Sequence, residues 1–145
     1  MRDNPTPFVR SWAVLCARVV LGLIFGMVGI WKCFELTPAG HVRIYFLPFA
    51  DTWLPLWSLW AVGLTVPVVE LVAGWCLFAG FRVRDSLVAI GLVLITVTFG
   101  HLLQEPLYDF TSHVIPRLGL LIVVAVLIHD DRFSVDAWLR TRAAR

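Results

Sequence analysis

Apolar residues run through this chain in four long stretches, separated by short polar breaks. Met1 to Arg10 is polar and carries Pro5 and Pro7; the first apolar run then extends from Ser11 to Trp31, 21 residues. About 20 residues suffice to cross a bilayer as a helix. A second run, Trp57 to Ala79, has 23 residues. The turn from Gly80 to Asp85 is so short that the third run, Ser86 to Leu103, returns antiparallel beside the second. After a short acidic loop from Gln104 to Asp109 comes the fourth run, Phe110 to Ile128, and then a polar tail from His129. Pro38, Gly40, Pro48 and Pro55 break the segment between the first two runs. Trp53 and Trp57 mark it as interfacial, and Tyr45, Phe46, Leu47 and Phe49 suit a half-buried loop or short helix among headgroups. The pattern predicts one domain over residues 1–145, an all-α membrane protein built as an antiparallel bundle of four transmembrane helices with spans near 11–31, 57–79, 86–103 and 110–128.

Within two of the runs the exceptions to apolarity are themselves periodic. Arg18, Gly22, Phe25, Gly29 and Lys32 are spaced 4, 3, 4 and 3, so they share one helix face. Gly63, Pro67, Glu70, Gly74 and Leu77 repeat that spacing in the second run. Gly22 and Gly26 form a pair of small residues four apart, which lets a neighbouring helix approach closely. The two small-residue faces therefore suit each other. Each also carries an ion: Glu70 lies among Val66, Val68, Val69, Leu71 and Val72, where an unanswered carboxylate is costly. At about 1.5 Å rise per residue, Arg18 is roughly 10 Å and Glu70 roughly 15 Å from the same edge. The expectation is an intramembrane ion pair between Arg18 and Glu70, acting at least as a clamp on the first two helices.

Composition strengthens the membrane reading. The chain is 59% hydrophobic and 15% charged, with seven Trp, and its mean hydropathy is +0.83. Soluble domains average about 45–50% apolar and about 25% charged. A cleaved signal peptide is the competing reading of the first run, but Arg18 interrupts it and no small-residue cleavage site follows. With an inner N-terminus, Arg2, Arg10, Arg82, Arg84, Arg132, Arg140, Arg142 and Arg145 lie on one side and only Lys32 and Arg43 on the other. By the positive-inside rule both termini are cytoplasmic, in a bacterial-type inner membrane. A net charge of +2 does not argue for nucleic acid. Cys16, Cys33 and Cys76 are odd in number and form no CxxC, so they read as packing residues.

Candidate chemistry gathers at the outer ends of the runs. Lys32, His101, His113 and Arg117 all fall there, with Trp31, Trp53, Trp57 and Tyr108 placed to surround them. Cations and imidazoles under aromatic rings suit a quinone carbonyl, an anionic substrate or a lipid headgroup, and histidine passes protons near neutral pH. No metal-ligand spacing, phosphate loop or nucleophile elbow is present in the sequence. No residue is assigned as catalytic on sequence grounds.

Arg18, Gly22, Phe25, Gly29 and Lys32, followed by Glu70, Gly74, Leu77, Gly80 and Arg84, resemble the DoxX-like membrane proteins. The tail Arg132 to Leu139, with Ser134 and Asp136, is similar to a serine and aspartate motif that closes many members. The resemblance covers most of the chain from Arg18 to Leu139, while the long 33–56 segment and the Pro116–Arg117 pair depart from it. It implies a four-helix membrane bundle and a link to quinone-coupled redox chemistry or maturation of redox proteins. It also matches Arg18, Lys32 and Glu70 to the family's charged positions. The leading expectation is a quinone-associated redox or respiratory accessory component, compatible with a redox partner in the membrane or periplasm and with self-association. A non-catalytic subunit of a larger membrane complex is the alternative. A small anion or lipid transporter ranks last, because the run from Leu87 to Ile95 offers no polar path.

Overall fold

A computed structural model describes residues 6–105 and 111–143. Regular structure among these residues is entirely helical. The long helices are α1 (Pro7–Ile30), α3 (Leu56–Ala79) and α4 (Val83–Gln104), joined by the short α2 (Pro38–His41), the thirteen-residue α5 (Val114–Val126) and the terminal α6 (Val135–Ala143). Three segments, Pro7–Glu35, Leu56–Ala79 and Val83–Gln104, are long and apolar enough to cross a membrane; α5 is apolar but shorter. The first exceeds the expected 11–31 at both ends, because Pro7 starts the helix in its first turn, where a missing N–H costs nothing, and a turn of π-helix carries it to Glu35. Phe110, expected to open the fourth run, lies outside the described residues, as does Tyr108.

The two small-residue faces meet. Gly22 faces Phe78 and Gly74, Gly26 faces Trp75, and Gly29 faces Leu71, so α1 and α3 run antiparallel with their backbones in contact. A Cβ on Gly22 would stand 2.5 Å from Phe78 N, and one on Gly29 would overlap Leu71 N. Side chains are therefore excluded along this seam, which is how helices without a hydrophobic driving force between them gain dispersion contact. Packing continues from α3 to α4 and from α4 to α5, and α5 returns to α1. Val14, Leu21, Phe25, Leu77, Ile90, Val93, Leu94 and Val124 form the shared core.

The end of the bundle that holds the N-terminus of α1 is closed by a knot centred on Arg18. The expected pair with Glu70 does not form. Side chains lean toward their own helix N-terminus, and in antiparallel α1 and α3 that sends Arg18 toward one end and Glu70 toward the other. Arg18 Nη1 donates to the carbonyls of Leu77 and Phe78, each at 2.7 Å, at the end of α3, where helical donors run out; Leu77 O also accepts from Gly80 N at 3.1 Å. Nη2 donates to Phe133 O at 3.2 Å, and Nε lies 3.1 Å from Asp131 Oδ2 as an ion pair rather than a directed hydrogen bond. Arg18 is 1% exposed and Asp131 3%.

Ser134 and Asp136 complete this closure. Ser134 Oγ accepts from Ala137 N at 3.2 Å in the first turn of α6. Asp136 accepts from the N–H groups of Arg82 and Val83, both at 2.9 Å, and so caps the start of α4. Its own N–H donates to Gly80 O at 3.0 Å. Gly80 ends α3 at φ +74°, and a Cβ there would lie 2.6 Å from Ser134 Cβ, so only glycine fits this turn.

Candidate functional site

At the other end of α1, about 21 Å from Arg18 by helical rise, the polar groups are arranged around a cavity instead of a knot. Lys32 sits in the π turn Trp31–Glu35 that ends the first helix, a wider turn than the α-helix it continues. Leaning back along α1, its ammonium reaches Glu70, with Nζ 3.0 Å from Oε1 and 2.8 Å from Oε2. Glu70 is 4% exposed. The carboxylate that the sequence paired with Arg18 is thus answered by Lys32, for the same directional reason that turned Arg18 away. Arg117 stands within electrostatic reach of Glu70 from α5.

The cavity has a volume of about 620 Å³ and is lined by α1, α3, α4, α5 and the 41–49 segment. Pockets for small organic ligands run about 300–1,000 Å³. Lys32, His101, His113 and Arg117 all line it, so the four residues expected near the outer end do share one space. Two of them carry further contacts of their own: His113 Nδ1 lies 2.9 Å from Ser112 Oγ, and His101, near the end of α4, also has an interacting neighbour. Ile24, Phe25, Val28, Val66, Val93 and Val97 supply apolar walls.

The aromatic surround differs from the expected one. Trp31 lines the cavity, but Trp53 and Trp57 do not and are each 74% exposed. Tyr45, Phe46 and Phe49 take their place. These come from the segment after α2, where a second π turn, Val42–Phe46, leads into a single 3₁₀ turn at Leu47–Phe49. Thr37, at φ +64°, starts α2 and caps it by accepting from Gly40 N at 3.2 Å. The proline-broken stretch is thus a string of short helical turns that wall one side of the cavity.

His41 also lines this space and carried no signal of its own in the sequence. It is 3% exposed, and its Nδ1 lies 2.8 Å from Gly63 O in α3. That carbonyl needs an outside donor, because residue 67, four positions on, is proline and has no N–H to give. A donor opposite the carbonyl four residues before a mid-helix proline was the clue available. Gly63 lets the segment approach: a Cβ there would lie 2.8 Å from Val42 and 3.0 Å from Phe46. Burial pushes the His41 pKa below its ordinary value and Lys32 adds to this, while the Gly63 bond opposes it.

The arrangement offers two cations, three imidazoles and one carboxylate around a largely apolar space, with Tyr45, Thr96 and Gln104 also on its lining. That set can hold a polar head by hydrogen bonds while an apolar body contacts the walls. No family model, curated protein or solved structure matches this chain.

Proposed function

We propose that this chain is a DoxX-like, four-helix protein of a bacterial-type inner membrane, with both termini cytoplasmic, that holds a quinone in its outer cavity as an accessory component of a redox or respiratory system. The observation that supports this reading is the gathering of Lys32, Arg117, His101 and His113 around one space of about 620 Å³ with apolar walls. The residues fit such a molecule: ammonium and guanidinium groups donate to carbonyl oxygens, and the valine and phenylalanine walls receive an isoprenoid or ring. A bound quinone supplies two-electron, two-proton chemistry. Lys32 and Arg117 orient its oxygens, Glu70 holds Lys32 in place, and α2 with the turns after it limits water. The basic residues at Arg82, Arg84, Arg132, Arg140 and Arg142 support a cytoplasmic Arg18 end by the positive-inside rule.

The test is purification in mild detergent, with mass spectrometry of extracted quinones, followed by equilibrium dialysis against a decyl-benzoquinone. Binding should be measurable and should weaken at least about tenfold in Arg117→Ala, the loss expected for a charge-assisted hydrogen bond. Protein that carries no quinone and takes up none in dialysis ends this reading.

A second reading, a non-catalytic subunit, draws on Trp53 and Trp57, whose exposure leaves an aromatic surface outside the cavity. It predicts a stoichiometric protein partner in the same purification, lost in Trp53→Ala with Trp57→Ala.

A further inference from the structure

The cavity's cations donate hydrogen bonds, and a site made only of donors would treat any acceptor alike. Among its lining residues, His41 stands apart because its protonation pattern is fixed from behind. A carbonyl oxygen only accepts, so the Nδ1 that lies 2.8 Å from Gly63 O carries the proton. Pro67 makes that bond compulsory by leaving the carbonyl without its helical donor. The ring is further held by Tyr45 and Phe46, with centroids 5.3 Å away in each case. A neutral imidazole with Nδ1–H has a bare Nε2, and with Nδ1 committed to α3, Nε2 is the nitrogen left for the cavity. Burial keeps the ring neutral at pH 7, as does Lys32 at the end of α1, the charged group that acts on it across the cavity.

We infer that His41 is a neutral hydrogen-bond acceptor in this cavity, accepting through Nε2 from a ligand hydroxyl, and that it thereby favours the hydroquinone over the quinone. The inference rests on the quinone reading of the cavity and adds which redox form it selects. A quinone has two acceptor oxygens and gains nothing from His41. A hydroquinone presents O–H donors, one of which Nε2 accepts, while its oxygens still accept from Lys32 or Arg117. His41 is a positioning and selectivity residue; no proton or electron transfer is assigned to it. Pro67 and Gly63 are part of the same device, since they set which nitrogen is bare.

The test compares equilibrium dialysis of a decyl-benzoquinone and its dithionite-reduced hydroquinone, under argon, on wild type, His41→Asn and Pro67→Ala. Asparagine keeps an N–H for Gly63 O and removes Nε2; alanine returns a backbone N–H to the Gly63 carbonyl and frees the imidazole to take either tautomer. His41→Asn should weaken hydroquinone binding about fivefold, the usual worth of one hydrogen bond, and leave quinone binding within about twofold. Pro67→Ala should shift the ratio the same way by less. Nitrogen-15 spectra of wild type should show Nδ1–H at His41, with the tautomers mixing in Pro67→Ala. An unchanged ratio in His41→Asn, or an Nε2–H tautomer in wild type, overturns the assignment while leaving the cavity a quinone site. Wild type that binds neither form removes the quinone reading itself and this inference with it.

Discussion

α1 and the π turn that continues it carry Arg18 and Lys32 on one face, and the molecule treats the two cations in opposite ways. Arg18 is sunk in protein, its guanidinium engaged by two α3 carbonyls, the Phe133 carbonyl and the Asp131 carboxylate. Among the described residues Lys32 pairs with Glu70, and it lines the cavity. A guanidinium is planar and multiply donating, so it can join three chain segments at once; an ammonium on a flexible stem can give up or share its partner. A buried charge whose donors are used up by backbone is a fastener. One that borders open space is available to a ligand.

The comparison is broken most forcefully at Arg18. Arg18→Ala leaves Asp131 buried and unpaired and frees the end of α3, and should cost about 3–5 kcal/mol; most of the protein should then fail to elute as a folded species from detergent size exclusion. Lys32→Met should lose less stability, because Glu70 keeps Arg117 within electrostatic reach, yet lose ligand. Equal losses of thermal stability in the two variants would mean that the ends do not differ in role. Arg18→Met combined with Asp131→Leu should recover much of what Arg18→Ala loses, since apolar replacement of a whole buried pair is often tolerated.

A smaller effect sharpens the same contrast. Asp136→Asn keeps the size of the cap but replaces one of its two acceptor oxygens by an NH2 donor at the start of α4, with an expected loss of about 1 kcal/mol, read as a lower melting temperature without change in ligand affinity. A changed affinity would show that the Arg18 closure and the cavity communicate.

The smallest effect is with pH. The folded pKa of His41 is lowered, chiefly by burial, from an ordinary 6.5. Above that value the ring is neutral in both states and nothing is lost. As pH falls below it toward the lower folded value, the unfolded chain takes up the proton first and the folded state is penalised. Melting temperature should therefore drop between about pH 7 and pH 5 by more in wild type than in His41→Asn, and identical slopes would refute a buried neutral imidazole.

The three long helices were legible because unbroken apolarity over some twenty residues has few other solutions, and the meeting of the glycine face of α1 with the Gly74 face of α3 was legible because a 4, 3 spacing fixes a face. The partner of Arg18 was not. Depth along two helices suggested Glu70, but the lean of side chains in antiparallel helices decided against it, and Asp131 sits in a polar tail whose return to the first helix no local pattern announces. The cavity cluster was foreseen as residues at one end, without Glu70 or His41 among them. His41 was hidden because its reason is a missing N–H twenty-six positions away, at Pro67.

Arg18 also bears on the order in which the molecule is made. During synthesis the first helix is complete long before residues 131 to 136 exist, so it must meet the bilayer with its arginine lacking both Asp131 and the end of α3. The α3–α4 turn waits in the same way for Asp136. Assembly is then finished from the late end of the chain, and until that stretch arrives the first helix carries an arginine without its native partners.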